Sequence, residues 1–158
     1  MTLYLVRHGS AGIRDDSDPD DDGRPLDETG HLQAERLAEW LGLEAPRTVL
    51  SSPFLRCRQT VEPLAKAVDV DVVVDDRLAE GSPIDAVWAL IASIAAAPEG
   101  DSAVLCSHGD VIPDVVSRAQ RRGMLVPGKL GCAKGSVWSL QHWDGETFAS
   151  GLYTPIRV

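Results

Sequence analysis

The chain has 158 residues, of which 44% are hydrophobic, and its formal net charge is -9. This length suits one compact domain with a hydrophobic core and is short for two, so we expect a single domain over residues 1–158. The acidic balance argues against nucleic acid or an anionic membrane surface as a partner, because both are bound through clustered Lys and Arg.

No apolar stretch approaches the roughly 20 residues of a membrane span, and the N-terminus resembles a strand rather than an export signal. We therefore expect a cytoplasmic location. Cys57, Cys106 and Cys132 are widely spaced and include no Cys-x-x-Cys pair. They are expected to be reduced thiols, since this spacing suits neither a disulfide framework nor a zinc site.

The first elements in chain order are a strand, a loop and a helix. Residues 2–6 form a short apolar run with the β-branched composition of a buried strand. Residues 13–24 contain six Asp between positions 15 and 22, which predicts a flexible loop. Helical periodicity resumes after Asp27 or Thr29, and either residue is a plausible cap.

The rest of the chain repeats this alternation of strands and helices. Asp144-Gly145 separates the last two predicted strands and is a strong hairpin signal. Strands that alternate with helices predict an α/β fold, a three-layer α/β/α sandwich with a mainly parallel central sheet. The last hairpin is expected to add an antiparallel edge. The later predicted strands are 48–50, 70–74, 103–106, 136–142 and 147–153, and helices are predicted to begin after Pro53, after Pro83 and near Ile112.

Candidate catalytic residues follow the predicted strands. His-Gly pairs at 8–9 and 108–109 each come directly after a strand, and Arg7 and Arg56 lie at comparable strand-to-helix junctions. The ends of parallel strands share one edge of a sheet, so these side chains should meet in one crevice. Guanidinium groups bind phosphate bidentately, and an imidazole nitrogen is a nucleophile. Phosphoryl transfer needs mainly positioning and charge stabilisation, so we expect neither a metal nor another cofactor.

Three motifs in this order resemble the histidine phosphatase superfamily, which has the phosphoglycerate mutase-like fold. They are Leu-Val-Arg-His-Gly at 5–9, Ser-Ser-Pro-Phe-Leu-Arg-Cys-Arg-Gln-Thr at 51–60 and Ser-His-Gly at 107–109. Arg-Pro-Leu-Asp-Glu-Thr-Gly at 24–30 resembles the family's small bacterial phosphohistidine phosphatases. Pro127 with Lys-Gly-Ser-Val-Trp at 134–138 is more similar to the phosphatase domain of mycobacterial Nudix-linked nucleotide hydrolases. A separate Nudix-type protein is therefore considered as a functional partner.

The resemblance implies a role for each matching residue. It makes His8 the nucleophile, and Arg7, Arg56 and His108 the phosphate pocket. Glu80 falls where many family members have the acid that protonates the leaving group and then activates water. That role requires a carboxyl group that holds its proton near neutral pH. The expected catalytic residues are therefore His8, Glu80 and His108.

Two further residues are candidates for binding. Gly9 follows the nucleophile and should let the backbone approach the phosphate closely. Lys134 is a candidate for substrate contact, although a lysine beside a glycine at the start of a strand is more often solvated. A glutamate at a loop start, such as Glu80, can equally be an ordinary solvated residue.

The sequence thus predicts a metal-independent phosphatase that hydrolyses phosphomonoesters or phosphoramidates through a phosphohistidine intermediate on His8. Two substrate classes remain open. A phosphohistidine protein is favoured by the short chain, which leaves little room for an insertion that caps the site. A nucleotide or other phosphorylated small molecule is favoured by Glu80 and by residues 134–138. The alternative to an enzyme is a phosphate- or phosphoprotein-binding regulatory module without turnover.

Overall fold

A six-stranded sheet forms the centre of the protein, in a computed structural model that describes residues 1–158. The strands are β1 (Thr2–Arg7), β2 (Thr48–Ser51), β3 (Val72–Val74), β4 (Ser102–Ser107), β5 (Val137–Trp143) and β6 (Phe148–Thr154). Their order is β3-β2-β4-β1-β5-β6. Strands β1 to β4 run parallel to one another. Strand β5 pairs antiparallel with β1, and β6 pairs antiparallel with β5. The predicted mainly parallel sheet with an antiparallel edge hairpin is confirmed.

Helices cover both faces of this sheet. They are α1 (Glu28–Gly42), α2 (Leu55–Ala67), α3 (Ile84–Ala95) and α4 (Val111–Arg121). Alternate residues of β1 enter two separate cores: Leu5 packs with residues of α3 and α4, and Val6 packs with residues of α1 and α2. This is the period of two that a strand buried on both faces requires. The predicted three-layer α/β/α sandwich is confirmed. None of the four helices has both the length and the apolar character needed to cross a bilayer.

Asp27 is the cap of α1, one of the two residues predicted for this position. Its Oδ1 accepts a hydrogen bond from the Gly30 N–H at 2.8 Å, and Oδ2 accepts from Ser10 Oγ at 2.6 Å and from the Gly12 N–H at 3.0 Å. These bonds hold the pKa of Asp27 down at about 2. One carboxylate therefore both starts the helix and fixes the segment that leaves β1.

The acidic segment between β1 and α1 contains turns and a single short 3-10 helix, Asp21–Gly23. The prediction of a loop is confirmed here, and its flexibility stays a prediction. Asp21 side-chain and backbone oxygens accept hydrogen bonds from Arg56, which belongs to the first turn of α2. The loop is therefore connected to a helix on which a candidate site residue lies.

Gly30 provides a test of the close packing between α1 and the segment after β1. A Cβ on Gly30 would lie 2.0 Å from the Ser10 carbonyl oxygen. We expect Gly30→Ala to lower the free energy of unfolding by about 1–3 kcal/mol, the usual cost of overpacking. Gly42, at the end of the same helix, has no atom within 4 Å of its Cβ position. Gly42→Ala should leave stability unchanged or raise it by up to about 1 kcal/mol in urea denaturation. Equal effects of the two substitutions would contradict this account.

Candidate active site

The parallel pairing of β1 with β4 brings the two candidate histidines together. In this pairing Arg7 lies opposite Ser107, so His8 and His108 leave neighbouring strands at the same edge of the sheet. Their ring centroids are 5.3 Å apart. β2 lies on the other side of β4, and the helix that follows it carries Arg56. The crevice expected from the sequence is therefore present.

This crevice is a cavity of about 350 Å³ that no hydrophobic residue lines. A larger cavity, of about 810 Å³, lies beside α2 and β3 and contains none of the candidate residues. The smaller one is the candidate active site, because His8 and the two candidate arginines line it, whereas His108 does not. Its lining residues are Arg7, His8, Gly12, Arg14, Arg24, Arg56, Glu80, Gly109, Asp110 and Lys134.

His8 is held as a neutral imidazole. Its Nδ1 lies 2.8 Å from the Gly9 carbonyl oxygen, so Nδ1 carries the hydrogen and Nε2 is left with a lone pair. Burial, against the opposing effect of the hydrogen bond to Gly9, lowers the pKa of His8 to about 3, with smaller contributions from the neighbouring His108 and arginines. A histidine that is uncharged at neutral pH is what nucleophilic attack requires.

The two arginines are each anchored at one end of the guanidinium group. Arg7 Nη1 donates to the Cys132 carbonyl oxygen at 2.6 Å, and Arg56 Nη1 donates to the Asp21 carbonyl oxygen at 2.7 Å. Arg56 also lies over the ring of Phe54, 4.8 Å from its centroid. The Nε atoms of both arginines are buried and have no hydrogen-bond partner. Unsatisfied buried donors are rare in proteins, and an anion in the cavity would account for them.

His108 adds a third buried polar atom without a partner, its Nδ1. Its Nε2 lies 2.8 Å from Ser52 Oγ, which also accepts from the Phe54 N–H at 3.2 Å, and 3.5 Å from Cys57 Sγ. These contacts orient the ring of the second histidine and leave Nδ1 without a partner in the protein.

The role of Gly9 in letting the backbone approach an anion stays a prediction. The Gly9 N–H already donates to Thr60 Oγ1 at 2.9 Å, and a Cβ at this position would lie 3.0 Å from the Gly30 carbonyl oxygen. Gly9 is therefore required for packing against α1 and does not offer a free donor to an anion. At Gly109 a Cβ would lie 2.7 Å from Arg7 Cζ, so this glycine makes room for the guanidinium group.

Glu80 and Lys134 both line the cavity, and their contact with a substrate stays a prediction. Both carboxylate oxygens of Glu80 accept hydrogen bonds from Arg14, each at 2.9 Å. Glu80 also lies 3.7 Å from Arg56 Nη2. Lys134 is exposed and its ammonium group forms no ion pair.

Sequence reasoning did not assign a role to several charged residues of the site. Arg14 and Asp21 lie in the acidic segment, for which the sequence predicts only a flexible loop. Arg24 belongs to the motif at 24–30, which was a usable signal, and its Nε donates to Asp21 Oδ1 at 2.9 Å. Asp110 follows the second His-Gly pair, and its Oδ2 accepts from the Gly81 N–H at 2.8 Å.

The lowered pKa of His8 leads to a prediction about stability. Unfolded His8 binds a proton below about pH 6.5, whereas folded His8 does so only near pH 3, so stability is lost as the pH falls through this window. Between about pH 7.5 and 4.5 the loss from this residue should be roughly 2–3 kcal/mol. Urea denaturation at both pH values should show a smaller pH dependence in His8→Asn than in the wild type. Exposed His31 is the control, and His31→Asn should behave as the wild type. An unchanged pH dependence in His8→Asn would contradict the assignment.

Known proteins resemble this chain in sequence and in fold. The family described as histidine phosphatase superfamily (branch 1) matches residues 3–83. An 8-oxo-(d)GTP phosphatase of Mycolicibacterium smegmatis is 34% identical over 157 residues, which are 98% of this chain and 48% of that protein. This chain thus spans about half the length of that relative.

Solved structures show the same fold. The protein histidine phosphatase SixA, complexed with tungstate, superposes with a TM-score of 0.74 at 24% identity, covering 98% of this chain and 94% of that one. A mycobacterial glucosyl-3-phosphoglycerate phosphatase has a TM-score of 0.71 at 22% identity, covering 97% and 95%. The fold is therefore the phosphoglycerate mutase-like fold, and this chain belongs to the histidine phosphatase superfamily.

Proposed function

We propose that this protein is a metal-independent phosphatase that hydrolyses phosphomonoesters or phosphoramidates through a phosphohistidine intermediate on His8. The observation that carries the proposal is a neutral imidazole, anchored through Nδ1, beside two arginines and a second histidine. These cations and donors would surround a phosphoryl group without help from a metal. Residues 1–158 would act as a single phosphatase domain.

In the first step Arg7, Arg56 and His108 bind the non-bridging oxygens of the phosphoryl group. Nε2 of His8 forms a bond to phosphorus while the bond from phosphorus to the leaving group breaks. The leaving oxygen takes the electron pair of that bond and a proton from Glu80. The positive charge that develops on the imidazole is stabilised by the Gly9 carbonyl, which accepts from Nδ1.

In the second step Glu80, now ionised, takes a proton from a water molecule. The water oxygen bonds to phosphorus, the bond from phosphorus to nitrogen breaks, and its electron pair returns to Nε2. Phosphate leaves, and the neutral imidazole and the protonated carboxyl group are restored. Because the arginines are already anchored, little reorganisation is needed during either transfer.

The substrate remains open between the two classes that the sequence suggested. Glu80 in the cavity favours an ester with an alkoxide leaving group, since such a group must be protonated. The relative named 8-oxo-(d)GTP phosphatase supports a nucleotide, although this chain matches only about half of it. A phosphohistidine protein remains the other candidate substrate class. A separate Nudix-type protein is proposed as a functional partner. Phosphate release from a phosphorylated phosphocarrier protein, compared with nucleotides and sugar phosphates, would separate the classes.

Replacement of the nucleophile tests the mechanism. We expect His8→Ala to abolish phosphate release from p-nitrophenyl phosphate in EDTA while the thermal unfolding transition is retained, because no other group can form the intermediate. His31→Ala, an exposed histidine in α1, is the control and should keep wild-type activity. Equal activity of His8→Ala and the wild type would exclude this mechanism. Phosphate binding without any turnover in the wild type would support the regulatory-module alternative.

Replacement of Arg56 tests the phosphate pocket. Loss of one donor to a developing oxyanion costs about 2.7–4 kcal/mol, so Arg56→Ala should lower kcat/KM by roughly 100- to 1000-fold. Arg58→Ala, two positions along the same helix and exposed, should change it little. Since Arg56 is buried, circular dichroism should first establish that the variant is folded. A loss below about tenfold would contradict the pocket role.

A further inference from the structure

The cavity contains more cations than one phosphoryl group needs. Arg7 and Arg56 are assigned to that group, and Arg24 is held by Asp21 and by the Ala11 carbonyl. Arg14 and Lys134 remain at the same cavity without an assigned task. The side chain of Arg14 is 50% exposed, so it lies where a substrate would enter.

Arg14 also occupies both oxygens of the Glu80 carboxylate. Its Nη1 and Nη2 donate to the two carboxylate oxygens of Glu80, each at 2.9 Å. With both oxygens accepting from a guanidinium group, neither is placed to hold a proton for a leaving group. The Arg14–Glu80 pair therefore opposes the first step as long as it stays closed.

The same pair is able to open. The pair is bidentate, but half of the Arg14 side chain and about a quarter of the Glu80 side chain are exposed, so water and solute anions compete for both partners. The other ionic contacts of Arg14 are Asp16 at 3.2 Å and Asp21 at 3.9 Å, and Asp16 is almost fully exposed. An oxyanion delivered by a substrate can thus replace Glu80 as the partner of Arg14. The planar fork of arginine suits a phosphate or a carboxylate equally.

We infer that Arg14 is a specificity-determining residue that binds a second anionic group on the leaving-group side of the substrate and thereby frees the Glu80 carboxylate, which takes up a proton from solvent before it acts as the acid. The inference rests on the proposed function. The substrate class is then a phosphomonoester of an alcohol that carries a further phosphate or carboxylate. The phosphate ester of a neutral alcohol leaves Arg14 on Glu80 and reacts without the acid.

Three substrates with matched leaving alcohols test this inference. They are propane-1,3-diol monophosphate, the phosphate ester of 3-hydroxypropionate and propane-1,3-diol bisphosphate. We call the first the neutral ester and the other two the anionic esters, according to the charge of the leaving alcohol. Wild-type protein should hydrolyse at least one anionic ester with a kcat/KM about tenfold or more above that of the neutral ester, the size expected of one charge-assisted contact. The ester that shows the preference identifies the second anion as carboxylate or phosphate. No preference for either would overturn the inference.

Arg14→Ala should remove the preference, so that the ratio of anionic to neutral kcat/KM approaches one. Arg14→Lys keeps the charge but not the fork, and should give an intermediate ratio. Arg36→Ala is the matched control, since it also breaks an exposed ion pair, with Glu39 at 3.3 Å. That variant should keep the wild-type ratio. A full preference in Arg14→Ala would assign the selectivity to another residue and overturn the inference.

The effect of Arg14 on Glu80 is tested by measuring KM and kcat separately. In Glu80→Gln the anionic ester should keep its advantage in KM and lose its advantage in kcat, because Arg14 still binds but no acid is released. An undiminished kcat advantage would contradict the link.

Calorimetry separates this inference from the proposed function. If no substrate is hydrolysed in a His8-dependent way, the proposed function fails. Whether Arg14 binds a second anionic group is then decided by calorimetric titration of the protein with the unreacted esters. Tighter binding of an anionic ester, lost in Arg14→Ala, supports the anion site, and equal binding refutes it.

Discussion

The parallel pairing of β1 with β4 is the constraint on which the site depends. Both strands are buried on both faces, and their side chains alternate between the two cores. A shift of register by one residue would move every side chain of β1 to the wrong core, so the register is strongly specified. With Val6 opposite Cys106 and Arg7 opposite Ser107, the two His-Gly turns have to emerge side by side.

Burial then sets the chemical state of the groups at that edge. It keeps His8 uncharged, and it brings Arg7 and Arg56 out of bulk water, where each is fixed by a backbone carbonyl. The carbonyl that holds Arg7 orients its guanidinium group without neutralising it, whereas Arg56 also pairs with the carboxylate of Asp21 at 3.1 Å. The unsatisfied Nε atoms of both arginines and Nδ1 of His108 are the cost of a pocket that is arranged before its ligand arrives.

The acidic loop is the part of the chain whose role depends most on its position. It supplies Arg14, and through Asp21 it also supplies the anchor of Arg56 and Arg24. A chain with a net charge of -9 thus contains a cavity whose lining has five Arg and Lys residues and only two acidic ones. Such a distribution lets the pocket attract an anion while the overall charge keeps non-specific anionic surfaces away.

The sequence by itself determined the fold class and the proposed nucleophile with its immediate pocket. Strand periodicity and the hairpin signal are local features of the sequence. The positions of His8, His108 and Arg56 after strands are local features too. Because parallel strands end at the same edge of the sheet, these side chains lie near one another whatever the details of packing. Only the tertiary structure decided that the Gly9 N–H is occupied by Thr60, that Asp21 anchors Arg56 and that Arg14 holds Glu80. These contacts join residues 35 to 66 positions apart through loops. Loop paths have no periodic pattern, because they are set by the surfaces on which they pack.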